Sequence, residues 1–215
     1  MLLQMGRNAD LSTGTPPRDT TRPMPWSDAV RVSSHPSRAY ADLSRAPAGG
    51  RFLELPILSA LLLGVVFAVA DSNRPSAWLV AGCAVAWSFV PALQIASVVA
   101  TWLAFARGRL ALRGAIQLHF LGHLPWSLWL LLVAAVASAT SPPNEARLWK
   151  LMFVTAAIPF LWSRAIGWHF FRRVYGLGPR GALLATLLHL VVVLGPVAVF
   201  FLATGQLAPR LLGGR

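Results

Sequence analysis

Cysteine, acidic residues and lysine are nearly absent from this chain. Its 215 residues include one cysteine, Cys83, which excludes an internal disulfide. Only seven residues are Asp or Glu, and four of them (Asp10, Asp19, Asp28 and Asp42) fall before residue 51. So few carboxylates leave little from which to build acid–base chemistry. No nucleophile–base signature, glycine-rich phosphate loop or paired-carboxylate arrangement occurs, so no catalytic residue is expected and the chain is read as a non-enzyme. Charge of either sign covers 12% of the residues, against 56% apolar, and the mean hydropathy is +0.60. A soluble domain needs more charge than that to cover its surface. The first residues lack a long apolar run before a small-residue cleavage site, so no cleaved signal peptide is expected.

Long apolar blocks are what the chain does have. Five of them, at 52–70, 77–106, 118–138, 148–171 and 182–203, are separated by polar segments. A helix needs about 20 residues to cross the hydrocarbon at 1.5 Å rise per residue. The pattern predicts an all-α, polytopic membrane bundle of about five transmembrane helices over 52–205. Residues 1–51 form a basic cytoplasmic arm, largely disordered, and 206–215 a short tail. Within the arm, Ser34 and Pro36 suit a cap and a first-turn proline for a short interfacial helix. The second block is too long for one straight span and is expected to tilt or kink, with a re-entrant break at Pro91 as the alternative.

The formal net charge of +12 is broken up between the apolar blocks rather than gathered on one basic face. That argues against nucleic acid and for the lipid bilayer and its anionic headgroups as partners. Seven arginines in the arm are followed by Arg74 alone. Next come Arg107, Arg109 and Arg113, then Arg147 and Lys150, and then Arg172, Arg173 and Arg180. Rich and poor segments alternate, so the positive-inside rule places the N-terminus in the cytoplasm and the C-terminus outside, in a multi-pass cell-membrane protein, read as bacterial inner membrane.

Each block carries one proline: Pro56, Pro91, Pro125, Pro159 and Pro196. Pro56 is near a helix start; the other four are expected to kink their spans. Ala92, Ala96, Ala100 and Ala104, after Gly82 and Ala86, form a ladder of small residues that predicts the central packing seam or a dimer face.

Polar residues inside the blocks are the candidate site. Glu54, Gln94, His123, Arg164 and His189, with His119 and His169, all map to the cytoplasmic half of the bilayer in this topology. Ionisable groups at that depth face a bundle interior or water. Arg164 is expected to snorkel to the headgroups or to pair with Glu54. His119 and His123 share a helix face, so metal or haem ligation completed by His169 or His189 is the weakest option considered; no metal or cofactor is assigned.

The stretch from His169 to Val193, His-Phe-Phe-Arg-Arg-Val-Tyr-Gly-Leu-Gly-Pro-Arg-Gly-Ala-Leu-Leu-Ala followed by an aliphatic run, resembles the bacterial branch of the Yip (Ypt/Rab-interacting) family of five-span membrane proteins. His-Pro-Ser-Arg-Ala-Tyr in the arm is similar to the proline and short amphipathic helix of that family. The acidic Asp-Leu-Tyr-Gly-Pro motif of its eukaryotic members is absent, so small-GTPase binding is not implied. The resemblance implies a non-catalytic membrane scaffold or adaptor, in membrane organisation or envelope homeostasis. Its contact loop would be Arg172, Arg173, Tyr175, Gly176 and Arg180, facing headgroups, a protein partner or a second copy. A small transporter or channel subunit built on the inner polar cluster is the alternative.

Overall fold

The computed structural model describes residues 26–45, 52–72, 75–108, 110–139, 150 and 152–203. The expectations for residues 1–25 and for the tail at 206–215 lie outside them. Among the described residues the fold is all-helical: α1 (Trp26–Ser34), α2 (Pro36–Leu43), α3 (Glu54–Asp71), α4 (Ala77–Trp87), α5 (Phe89–Phe105), α6 (Leu112–Leu121), α7 (Leu124–Ala139), α8 (Ala157–Arg173) and α9 (Pro179–Ala203).

The prolines act by breaking helices more than by bending them. Proline has no N–H to give the carbonyl four residues back, but this costs nothing in a first turn, where those donors have no intrahelical partner. Pro56, Pro91, Pro125 and Pro159 all occupy the first turn of a helix: α3, α5, α7 and α8. The second block therefore breaks at Ser88, whose hydroxyl bonds the Val85 carbonyl at 2.7 Å, and resumes as α5. The third block breaks at Gly122–His123, and α6 and α7 meet there at 45°. Only Pro196 lies inside its helix, in the 25-residue α9.

Two stretches are long and apolar enough to cross a membrane, Ala77–Phe105 and Pro179–Phe200, and α6 with α7 makes a third if counted as one span. The apolar helix Glu54–Val69 is shorter. α8 has 17 residues and carries Arg164, Arg172 and Arg173. α4 and α5 of the second block count together as one apolar stretch despite the break at Ser88.

Around an apolar core, many further large apolar side chains face outward and several polar ones are buried. Large apolar residues such as Leu61, Leu132, Leu161, Leu184 and Val191 point outward, while Ser97, Thr101, His119 and His189 are buried. In water this arrangement would be ruinous; against lipid tails it is the favourable one.

The alanine ladder is not the seam. Ala92, Ala96 and Ala104 are exposed, as are Gly82 and Ala86, and α5 instead turns Pro91, Ser97, Val98 and Thr101 inward. That face packs along α9, and polar side chains in it hydrogen-bond across, which alanine cannot do. A close helix approach lies elsewhere, at Gly64: a Cβ there would sit 2.6 Å from Ala84 Cβ and 2.7 Å from the Val80 carbonyl. Phe67 stacks on Trp87 one turn further along each helix, with centroids 3.8 Å apart.

The end of the arm forms two helices, not one. Ser34 closes α1, bonding the Val30 carbonyl at 2.8 Å, while His35 caps α2 and Pro36 takes its first turn. Arg31 ties the pair together through Asp28 and Asp42. Both helices pack on the bundle rather than lying free: Val32, Ala39 and Tyr40 are buried, Trp162 donates to the Ser33 carbonyl at 3.0 Å, and Arg173 donates to Ser37 Oγ at 3.0 Å.

Candidate functional site

A cavity of about 370 Å³ opens between α3, α5, α7, α8 and α9, with Tyr40 of α2 at its arm end. That volume falls within the range of small-molecule sites, on the order of 300–1,000 Å³. Aromatic and aliphatic side chains make most of its wall, including Phe67, Trp87, Trp126, Trp129, Phe160 and Phe170.

Two of the polar lining residues, His119 and His123, come from the bent pair α6 and α7. α6 is buried from Gly114 to Leu121, which carries His119 into the interior, and the bend before Pro125 turns His123 onto the same cavity. His119 and His123 are 5.0 Å apart between ring centroids, and His119 and His189 5.1 Å. His189 is hydrogen-bonded through Nδ1 to Ser97 Oγ, and His123 donates from Nδ1 to the His119 carbonyl at 3.3 Å. The bend has no room for a side chain at Gly122, where a Cβ would lie 2.8 Å from Ile166 Cγ2 and 3.0 Å from the Tyr40 hydroxyl.

Arg164 enters from α8 and is the one charged residue among the described residues that line the cavity. Helical side chains lean toward the N-terminus of their helix. Its guanidinium accordingly lies over the Phe160 ring, 5.5 Å from the centroid. It thus points away from the arm end of α8 instead of reaching back toward it. Neither sequence expectation for Arg164 is met: it does not snorkel to the arm end, and the ion pairs among the described residues do not join it to Glu54. Glu54 stands in the first turn of α3, outside the cavity lining. Three lining groups have polar atoms with no hydrogen-bond partner: His119 Nε2, Ser163 Oγ and Arg164 Nε. Unpaired buried polar atoms are uncommon in folded proteins because each forfeits its hydration.

Of the sequence candidates, Gln94, His119, His123, Arg164 and His189 converge on this cavity. His169 is half-buried on α8 and does not line it. Among the described residues, no group of three or more His, Cys, Asp or Glu side chains is arranged to hold a metal ion. The loop after α8 divides: Arg173 and Arg180 are exposed and Gly176 makes the turn at φ +65°, but Tyr175 is buried at 1% exposure. Its hydroxyl meets Thr101 Oγ1 and the Val98 carbonyl, each at 3.4 Å, so Tyr175 pins the loop to α5 and offers nothing to a partner. Burial pushes the Tyr175 hydroxyl up to about 12, against a smaller lowering by the Thr101 hydrogen bond, and burial raises Tyr40 further still.

No protein-family model, curated protein or solved structure matches the chain. The site therefore has to speak through its own residues. Ser97, Ser163 and Tyr40 were missed from the sequence. A usable signal existed for Ser97: Gln94, Ser97 and Thr101 follow at spacings of three and four, one polar face opposite the alanines. Tyr40 and Ser163 had no such marker.

Proposed function

We propose that the chain is a five-span protein of a bacterial inner membrane, with its arm in the cytoplasm and its C-terminus outside, that binds a small ligand between its helices as a transporter or carrier subunit does. The count takes α3 and α8 as spans beside α4–α5, α6–α7 and α9, and the alternation of arginines supports the orientation. One observation carries the ligand reading: a roomy cavity kept open around a half-buried arginine and unpartnered His119 and Ser163 atoms. A purely structural core gains by filling such space with apolar side chains at crystal-like density. The test is alkylation of Ser163→Cys by N-ethylmaleimide in a Cys83→Ala background, in the bilayer. Modification well above that of Ala137→Cys, a buried position outside the cavity, is expected. Equal inertness would mean a dry, closed core and would remove the ligand site.

The scaffold or adaptor reading, with its Yip-like affiliation, stands second. Exposed Arg173 and Arg180 favour it, since they offer a basic surface beside the membrane. It expects weaker association with anionic liposomes when both are replaced by glutamine.

A further inference from the structure

On three sides the cavity lining passes from polar to apolar with distance from the arm end. Along α9 the order from the arm end is His189, then Val193 and Val197; along α5 it is Gln94, then Val90, with Trp87 beyond it at the end of α4; along α3 it is Ser59, then Leu63 and Phe67. Contacts between Ser97 and His189 and between Phe89 and Phe200 place α5 and α9 antiparallel, so the two series run in the same spatial direction. From His189 to Val197 the helix rises about 12 Å at 1.5 Å per residue. A polar end and an apolar end of that length describe the outline of an amphiphile.

Charge narrows the class. Arg164 is a cation inside the bundle, and no acidic residue lines the cavity with it among the described residues. A cationic ligand would be repelled, and a neutral one would leave the guanidinium without a counter-charge in a poorly polarisable site. An inorganic anion would satisfy Arg164 yet leave the apolar end empty. The unpartnered Nε of a planar guanidinium offers one arm of the two-point fork that carboxylates and phosphates accept. His119 Nε2 and Ser163 Oγ, at 9% and 8% exposure, supply further unused polar atoms on the same wall.

We propose that the cavity takes an amphiphilic anion, its carboxylate or phosphate head against Arg164, His119 and Ser163 and its apolar body along Val90, Val193 and Val197. This assignment rests on the ligand-site reading above. The test is native mass spectrometry of the full-length protein in phosphatidylcholine nanodiscs, loaded with palmitate, hexadecyl phosphate or hexadecanol, which share one chain length. One palmitate or hexadecyl phosphate per chain is expected to be retained, and the better retained of the two identifies the head as carboxylate or phosphate. Losing a charge-assisted contact costs about tenfold or more in affinity, so Arg164→Gln is expected to reduce anion retention by about that factor. Arg180→Gln, on the exposed loop, is expected to leave it unchanged. Hexadecanol retained as well as the anions would overturn the anion class while leaving the cavity a ligand site. Retention of none of the three would overturn both. Should Arg164→Gln fail to fold, Val193→Trp keeps every polar group and shortens the apolar end. It is expected to turn the preference from palmitate to decanoate, and an unchanged preference would overturn the placement of the tail.

Discussion

Replacing Gly64 by alanine should loosen the wall of the cavity from a distance. The added methyl would stand 2.6 Å from Ala84 Cβ, 2.7 Å from the Val80 carbonyl oxygen and 2.8 Å from the Ala84 nitrogen. Carbon contacts relax at roughly 3.5–4.0 Å, so α3 and α4 must separate by about 1 Å. Two of the three obstacles are backbone atoms of α4, which cannot rotate aside as a side-chain tip would. Overpacking of this kind costs about 1–3 kcal/mol. The separation also strains the Phe67–Trp87 stack, whose rings both line the cavity. Unfolding of the purified protein in mixed micelles, titrated with sodium dodecyl sulfate, should show Gly64→Ala unfolding at a lower denaturant fraction. Adding Ala84→Gly removes the methyl contact but not the two backbone contacts, so rescue should be partial. A Gly64→Ala protein as stable as the parent would refute the close approach of these helices.

Ser97→Ala leaves His189 Nδ1 without its partner between α5 and α9, and should cost about 0.5–2 kcal/mol in the same titration, with Ser97→Thr restoring most of it. Tyr40→Ala removes a ring buried against Phe170, with centroids 5.6 Å apart, and a buried aromatic truncated to alanine costs about 3–5 kcal/mol. Tryptic cleavage after Arg38 and Arg45 should accelerate as the arm undocks; unchanged cleavage would mean that Tyr40 does not hold it. The chain has two tyrosines, Tyr40 and Tyr175, and burial raises both hydroxyls above the ordinary value of 10.0. The folded state binds these protons more tightly than the unfolded one, so the contribution of Tyr175 to stability is complete below pH 10 and is lost as pH rises through about 12, and that of Tyr40 persists to higher pH. Absorbance near 295 nm should show no tyrosinate at pH 10 in the folded protein and half-ionised tyrosine in the unfolded one. Tyrosinate in the folded protein at pH 10 would contradict the burial of these rings.

Helical class and the polar positions inside apolar blocks were legible because each rests on one residue type in its local setting. A histidine or arginine in an apolar run has few places to go, and Gln94, His119, His123, Arg164 and His189 do meet in the interior. What failed was inference about which neighbour a residue would face. Size alone points the alanines of α5 to the seam, but the polar trio Gln94, Ser97 and Thr101 claims the inner face, because a hydroxyl facing lipid would have no cross-helix partner. Distance from the helix end puts Arg164 within reach of the headgroups, whereas the lean of helical side chains carries its charge the other way. A mid-block position predicts kinks at Pro91, Pro125 and Pro159, but their place in first turns depends on where each preceding helix stops, which is a tertiary matter.

The most direct test is what the protein carries out of its own membrane. Wild-type and Arg164→Gln proteins, purified in parallel from native membranes and extracted with organic solvent, should differ by mass spectrometry in one component. The wild type should yield an anionic amphiphile near one per chain, and the variant little of it. Identical extracts from the two proteins, with no anion enriched on the wild type, would contradict a ligand site built around the cavity arginine.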